Sequence, residues 1–270
     1  HADAHFGASL IAAVINFPLW RASAIAQSGF HIEGSNFLVR YWHAVMRPPH
    51  RGMLATIGGM AWARGAIFFG SDQGKKILEE RGSHPVLSAT LPPLLISTFV
   101  QFANMPLVRA TITIQDPKSE LPNVRSAIAH IYRTRGIPGL WHGLSAGILK
   151  TVPKYITAVV IKDAMEAKLP PADPTDRFGK TKRSAIKSIV AGVAGAALTN
   201  PLDVIRNEMF KTDLSMMTTI RQLLKANGWA FCYRGLASNL TAVSVPVATT
   251  IFLTDMIIFQ RERNSVKARL

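Results

Sequence analysis

Six long segments of the chain are poor in charged residues and apolar along most of their length. Each is about as long as a helix that crosses a lipid bilayer, which needs roughly 20 residues and more when tilted. All six contain Gly, Ser, Thr or Pro, which is typical of helices that pack closely or line a water-filled cavity. The pattern therefore predicts an all-α membrane protein with six transmembrane helices. They cover residues 5–27, 53–77, 85–114, 143–168, 186–211 and 236–260.

Three glycines mark an internal repeat. Gly52, Gly143 and Gly235 lie 91 and 92 residues apart, and an aspartate follows each of them by 20 residues. A proline precedes each glycine, by 34, 37 and 34 residues. Landmarks that recur in register three times predict three structural repeats, each with a proline-kinked helix, a polar loop with a short amphipathic helix, and a second membrane helix. The aspartates are Asp72, Asp163 and Asp255, and the prolines are Pro18, Pro106 and Pro201.

The segments between the membrane helices support this division. Residues 123–134 and 216–226 predict short amphipathic helices, and the loop inside each repeat has a net positive charge. Residues 168–187 are rich in proline and charge, which predicts a solvated linker. We therefore divide the chain into three repeats that together form one membrane domain. The repeats cover residues 1–80, 81–170 and 171–270.

Composition narrows the classes of function. Hydrophobic residues make up 48% of the chain and charged residues 17%, below the usual quarter of soluble domains, so a soluble all-helical domain is the less favoured alternative. The net charge of +15 suits an anionic membrane surface or anionic ligands. No base-stacking motif is visible, so we do not expect nucleic acid. The single cysteine, Cys232, excludes an internal disulfide, and no metal site, cofactor or catalytic set is indicated. The chain begins at His1 rather than Met, so we expect it to be processed or incomplete.

The third repeat carries the most specific motif. Residues 192–206 read GVAGAALTNPLDVIR, and an aromatic-base-glycine triplet follows at Tyr233-Arg234-Gly235. With the triplicated plan, this resembles the mitochondrial carrier family, whose signature is Pro-x-acid-x-x-base. The resemblance implies six transmembrane helices in three pseudo-threefold repeats around a central cavity. It also implies a location in the mitochondrial inner membrane, with both termini toward the intermembrane space and the loops inside the repeats toward the matrix.

The family's charge pairs are largely missing from this sequence. In the family, the acid and the base of the signature pair between neighbouring repeats and close the matrix side of the cavity. Only repeat three keeps both charges, as Asp203 and Arg206. An unpaired buried charge costs on the order of 3 to 5 kcal/mol. We therefore predict that Asp203 pairs with Arg206, or with Arg21 or Arg109. The last two arginines directly follow the acidic position of the signature in repeats one and two. In repeats one and two, Trp20 and Val108 occupy the acidic position of the signature, and Ser23 and Thr111 occupy its basic position.

The family's second charge network, late in the even-numbered membrane helices, is incomplete as well. Its three acids remain as Asp72, Asp163 and Asp255, but Lys75 is the one base left. At most one cross-repeat pair is therefore available on that side. An alternating gate needs two closed states that are held by different contacts. Without these ion pairs, we expect the two closed states not to be separately stabilised in the way the family stabilises them.

The family places its substrate contacts on the even-numbered membrane helices, seven and eight residues after each repeat glycine. Helical spacing adds Lys154 and Lys162 to the face of Lys150, and Arg64 lies beside the corresponding face of the second helix. Intramembrane lysines predict an anion-binding site. The alternative is that these lysines neutralise Asp72, Asp163 and Asp255 or pair with acidic residues of a partner protein. By position, the contacts are Gly59, Met60, Lys150, Thr151, Ala242 and Val243.

The repeat glycines and two neighbouring arginines are candidate lipid-binding residues. Helix N-termini have unpaired amides that bind anions such as the headgroup of cardiolipin or another phospholipid. The alternative is that the arginines are simply solvated. The candidates are Arg51, Gly52, Gly143, Arg234 and Gly235.

Two functions remain open, and neither is enzymatic. Loss of both charge networks favours an accessory or structural subunit of a larger inner-membrane assembly, such as a respiratory complex, with membrane lipid and other protein subunits as partners. The lysines favour the alternative, an active solute carrier that exchanges a small anionic metabolite by alternating access.

Overall fold

The structure is a computed structural model that describes residues 2–46, 50–169 and 177–267. Within these ranges the chain forms ten α-helices, one short 3-10 helix and no strand. The 3-10 helix covers Gly228–Tyr233. The α-helices are α1 (Ala2–Ile15), α2 (Phe17–Ser28), α3 (Phe37–Met46), α4 (Met53–Glu80), α5 (Pro85–Thr113), α6 (Val124–Leu140), α7 (Leu144–Lys168), α8 (Arg177–Thr212), α9 (Met216–Asn227) and α10 (Leu236–Lys267).

Six long helical segments form a closed ring. Contacts between neighbours run from α1 to α4, then to α5, α7, α8 and α10, and from α10 back to α1. The predicted all-α fold with six long helical segments is therefore confirmed. Helices α2 and α5 also contact α8 across the ring, so the ring narrows where these segments end. We call this the loop-helix end, because the short helices α3, α6 and α9 pack there against α2, α5 and α8.

The predicted proline kinks differ between repeats. In repeat one the chain bends by 54° between α1 and α2, with Asn16 at the break and Pro18 in the first turn of α2. Pro106 and Pro201 lie inside α5 and α8, whose helical assignments continue through them. Each proline removes one backbone donor, but neighbouring helices can hold the chain in a helical course.

Burial is concentrated at the loop-helix end. Val204, Ile205, Leu223 and Phe231 form one buried cluster between α8, α9 and the 3-10 helix. Elsewhere in the ring, many large apolar side chains are exposed, and Phe99 in the middle of α5 is 61% exposed. This is the distribution expected when lipid, rather than a protein interior, covers the helices.

Four segments within the described residues are long and apolar enough to cross a membrane, and the bent α1–α2 pair is a fifth if counted as one span. Helix α7 is the sixth long segment of the ring. The four segments are Met53–Glu80, Pro85–Thr113, Ala185–Thr212 and Met216–Thr254.

The linker prediction is partly wrong. Helix α8 begins at Arg177, so residues 177–187 are helical, while residues 170–176 lie outside the described part. The prolines of the segment all precede residue 177, and Lys and Arg are good helix formers, so nothing after that point interrupts the helix. The predicted short helices are present as α6, which has a non-helical residue at Gly136, and as α9. The repeat boundaries stay a prediction.

Candidate functional site

Asp203 holds two cationic groups at the centre of the loop-helix end. The Nζ atom of Lys150 lies 2.7 Å from both carboxylate oxygens of Asp203, and Nη2 of Arg206 lies 3.0 Å from Oδ1. The side chains of Lys150 and Asp203 are only 18% and 7% exposed. The predicted Asp203–Arg206 pair is confirmed. Lys150 is a partner that the sequence analysis did not assign to Asp203, and it joins α7 of repeat two to α8 of repeat three.

A cavity of about 140 Å³ adjoins this ion pair. Three of the six position-derived substrate contacts line it, namely Lys150, Ala242 and Val243. Arg206 also lines it, and its Nε atom is buried without a hydrogen-bond partner among the described residues. The remaining lining residues are Trp20, Ser23, Ala24, Gln27, Ile112, Asp203 and Asn239.

The other predicted contacts do not line this cavity. The carbonyl of Gly59 accepts a hydrogen bond from Asn104 Nδ2 at 3.2 Å, so Gly59 packs against α5. The hydroxyl of Thr151 donates to Gly147 in its own helix at 3.2 Å. Met60 does not line it either. The side chains of Arg64, Lys154 and Lys162 lie outside the described part of the structure. Lys150 is therefore the described member of the three lysines that were predicted to share one face of the helix.

Arg21 does not pair with Asp203, contrary to one of the predicted options. Its buried guanidinium donates through Nε to Gln115 Oε1 at 2.6 Å and through Nη1 to the carbonyl of Ala44 at 2.9 Å. Gln115 in turn donates to the carbonyl of Arg51 at 3.0 Å. Arg21 therefore ties α2 and α3 of repeat one to the end of α5 in repeat two.

Arg109 also reaches the next repeat instead of Asp203. It is fully buried, donates to the carbonyl of Gly139, and lies 2.5 Å from Oδ1 of Asp213. Arg135 holds the other oxygen of Asp213 at 2.7 Å. Arg21 and Arg109 thus share a sequence position and a role, because each links its own short helix to the end of the next repeat's kinked helix. The shared position was visible in the sequence, but their acceptors were not.

Neutral amides close the junction between repeats one and three. Asn200 is fully buried, and its Oδ1 accepts from Gln27 Nε2 at 2.9 Å and from Asn239 Nδ2 at 3.2 Å. Its Nδ2 donates to the carbonyls of Cys232 and Arg234 at 2.8 and 3.1 Å. Each junction at the loop-helix end therefore has a buried polar contact, although none is the family's pair. The sequence did not predict this contact between amide side chains. The one feature of the sequence that indicated it was the asparagine directly before Pro201.

The charges at the opposite end of the ring pair within their own helix. Lys75 lies 3.7 Å from Glu79 and Asp72 lies 2.8 Å from Lys76, all on α4 and about half exposed. Such exposed pairs contribute little to stability. Lys75 therefore forms no cross-repeat pair with a described side chain. The side chains of Asp163 and Asp255 lie outside the described residues.

The lipid-binding candidates lie at helix starts, as predicted. Gly52 and Gly143 have φ values of +75° and +88° and precede α4 and α7, which lack a side-chain cap there. Arg51 donates to the carbonyls of Ser119, at 3.0 Å, and of Leu121. Arg234 pairs with Glu208 at 2.7 Å and precedes Gly235 before α10. Both arginines are thus engaged within the protein, and binding of cardiolipin or another phospholipid stays a prediction that rests on the helix amides.

We expect stability to depend on pH through His142, which lies in the turn before α7. Its Nε2 is 3.0 Å from the carbonyl of Leu214. Burial, and then the charge of Arg109, lower the pKa of His142, against the opposing effect of Asp213. The unfolded chain therefore binds the proton more readily, so stability is present above the ordinary pKa of about 6.5 and falls as the pH drops through it. The melting temperature in detergent should decrease from pH 7.5 to 5.5, with a smaller slope in His142→Gln.

The control for this measurement is His130→Gln, because His130 is exposed on α6. This variant should retain the slope of the parent protein. An unchanged slope in His142→Gln would contradict the assignment to His142.

Comparison with known proteins agrees with this geometry. Residues 94–172 and 180–259, more than half of the chain, match the family model described as mitochondrial carrier protein. The mitochondrial ornithine transporter 1 of Saccharomyces cerevisiae is 22% identical over 260 residues, which cover 88% of this chain and 87% of the relative. The mitochondrial basic amino acids transporter of Bos taurus is 24% identical over 175 residues, 62% of this chain and 57% of the relative.

A further relative extends the range of named solutes. The adenine nucleotide transporter BT1 of Zea mays is 26% identical over 223 residues, 75% of this chain and 49% of the relative. The chain therefore spans most of the yeast protein but only about half of the Bos taurus and Zea mays proteins. The matched ranges cover most of repeats two and three, and repeat three keeps both charges of the family signature. This protein belongs to the mitochondrial carrier family.

Proposed function

We propose that this protein is an active solute carrier that exchanges a small metabolite with a carboxylate or phosphate group across the mitochondrial inner membrane by alternating access. The observation that carries the proposal is the group formed by Lys150, Asp203 and Arg206 beside a cavity of the ring. Among these three side chains, two positive charges surround one negative charge. A surplus positive charge inside a membrane protein favours an anionic ligand.

The relatives support this proposal through the chemistry of the solutes in their names. Ornithine and the basic amino acids carry a carboxylate, and adenine nucleotides carry phosphate. These solutes differ in net charge, but all present an anionic group that a lysine can bind. The shared feature, rather than any one of these compounds, is what we transfer to this protein.

The accessory-subunit hypothesis, which the sequence favoured, receives less support than the carrier. It rested on the missing charge networks. Lys150 with Asp203, Arg109 with Asp213, and the amide group around Asn200 hold the same end of the ring together with other residues. The loss of the family's pairs therefore does not by itself remove a gate, and the relatives described above are named as transporters.

Transport by the purified protein tests the proposal. In liposomes loaded with the same solute, we expect uptake of at least one of ornithine, ADP and malate. Lys150→Ala should reduce this uptake about 10- to 100-fold, because a hydrogen bond between charged groups contributes about 1.5–3 kcal/mol. Lys182→Ala is the matched control, since Lys182 is exposed and does not line the cavity.

Two outcomes would contradict the proposal. One is a folded parent protein that takes up none of these solutes. The other is migration in mild detergent as a fixed part of a larger assembly, together with absence of uptake, which would favour the accessory subunit.

A further inference from the structure

We infer that the solute is a small amino acid, and that Gln27 and Asn239 select it by accepting hydrogen bonds from its ammonium group. We call these two side chains the acceptor wall. The inference rests on the proposed function, which concerns the anionic group of the solute, and adds to it the second group that the protein recognises. It also places part of the site on α2, a helix to which the family resemblance assigns no substrate contact.

The cavity beside the ion pair has two chemically different sides. Lys150 of α7 and Arg206 of α8 supply positive charge to one side. Ser23 and Gln27 of α2 and Asn239 of α10 line it as well, and these three side chains are polar but uncharged. A solute that contacts both sides therefore needs an anionic group for the first and a group that forms hydrogen bonds with neutral side chains for the second.

One face of α2 is turned toward the cavity. Trp20, Ser23 and Gln27 follow one another at intervals of three and four residues, which is the spacing of a single helix face, and all three line the cavity. Among the described residues, none from α4 lines it, although the family resemblance implies contacts there at Gly59 and Met60. Repeat one therefore meets the solute through its first membrane segment.

Asn200 determines which atom each amide of the acceptor wall offers. Its Nδ2 donates to the backbone carbonyls of Cys232 and Arg234 at 2.8 and 3.1 Å, and because carbonyls can only accept, the orientation of this amide is fixed. Its Oδ1 accepts from Nε2 of Gln27 at 2.9 Å and from Nδ2 of Asn239 at 3.2 Å. Both residues thus turn their nitrogen toward Asn200, and the oxygen is the atom that each has left for a further partner.

The two remaining amide oxygens form a site for a hydrogen-bond donor. Within the described part of the chain, Oδ1 of Asn239 accepts from the hydroxyl of Ser23 at the long distance of 3.5 Å, and Oε1 of Gln27 has no donor. Gln27 is buried, so water reaches this oxygen poorly, and a charged donor stabilises it most. An ammonium group has three hydrogens, which are enough for both oxygens of the acceptor wall.

The rest of the cavity agrees with a compact solute that carries one carboxylate. Lys150 and Arg206 leave one surplus positive charge beside Asp203, which a single carboxylate matches. The second carboxylate of a dicarboxylate would meet two oxygen atoms at the acceptor wall and has no hydrogen to donate. The cavity of about 140 Å³ is also smaller than the roughly 300–1,000 Å³ of pockets that enclose drug-sized ligands, so it suits the head group of an amino acid.

Two pairs of solutes test the inference, because the members of each pair differ in the α-amino group alone. The pairs are L-ornithine with 5-aminopentanoate and L-glutamate with glutarate. At least one of the two amino acids should bind the purified protein about tenfold more tightly than its analogue, since a hydrogen bond to a charged group contributes more than a neutral one. Affinity is measured by the rise in melting temperature on titration, and exchange is measured in liposomes with the same four solutes.

The variant Gln27→Met removes one oxygen of the acceptor wall with little change in side-chain size. It should lower the ratio of the two affinities in the preferred pair about tenfold. A purely structural role of Gln27 would weaken both solutes equally and leave this ratio unchanged. Gln222→Met is the matched control, because Gln222 is exposed on α9 and does not line the cavity. Asn239→Leu removes the other oxygen and tests the same ratio, should Gln27→Met not fold.

Two results would overturn the inference while the proposed function stands. One is a parent protein that exchanges ADP or malate but binds neither amino acid more tightly than its analogue. The other is a folded variant of the acceptor wall that keeps the affinity ratio of the parent protein. If the parent protein neither binds nor exchanges any of these solutes, ADP and malate included, the proposed function fails and the inference fails with it.

Discussion

Replacing Arg109 by alanine is expected to lower the free energy of unfolding by about 3 kcal/mol, near the lower end of the range for breaking a buried ion pair. Arg109 is fully buried, and its guanidinium supplies donors to Gly139 and Asp213. Truncation leaves a buried carbonyl without its partner and opens a space between α5, α6 and the end of α8. The loss stays near the lower end because Asp213 keeps Arg135 and is 36% exposed.

The measurement is the melting temperature of the protein in mild detergent. Arg133→Ala is the matched control, because Arg133 has the same side chain and is exposed on α6. Its melting temperature should remain close to that of the parent protein. Equal melting temperatures for the Arg109 and Arg133 variants would show that the buried arginine does not hold repeats two and three together.

The second large effect is expected from Gly235→Ala. A Cβ atom at this position would lie 2.6 Å from the backbone nitrogen of Gln27 and 2.8 Å from the carbonyl carbon of Ala26. Backbone atoms of α2 cannot rotate aside, so the helices α2 and α10 must separate. The φ value of +68° adds strain for any residue with a side chain. We expect a loss of about 2 to 5 kcal/mol from the overpacking and the strain together.

The control for this variant isolates the two causes. Gly82 has a φ of +70°, but an added Cβ would meet no atom within 4 Å. Gly82→Ala should therefore cost only the backbone strain, about 1 to 2 kcal/mol. If both variants melt at the same temperature, the close approach of α10 to α2 does not contribute to stability. A separation of these helices would also weaken the hydrogen bond of 2.9 Å from Arg234 Nε to the carbonyl of Gln27.

The sequence by itself determined the plan of this protein. Charge-poor segments of bilayer length predicted the six long segments of the ring, since apolar length is a local property of the chain. The glycines 91 and 92 residues apart predicted the repeat, and each of them starts an even-numbered membrane helix with a positive φ. Asp203 and Arg206 were found to pair because residues three apart lie on one face of a helix.

The tertiary structure alone decided which charges meet across repeats. Lys150 and Asp203 are 53 residues apart, Arg21 and Gln115 are 94 apart, and Arg109 and Asp213 are 104 apart. Periodicity places a residue on one face of its helix, but the partner of a long side chain depends on how helices cross and on which carbonyl or carboxylate ends nearby. Packing also turned Gly59 toward α5 and Lys150 toward the cavity, although both occupy the same position in the repeat. Asp203 thus has its local partner from the sequence and its partner across the junction from the fold.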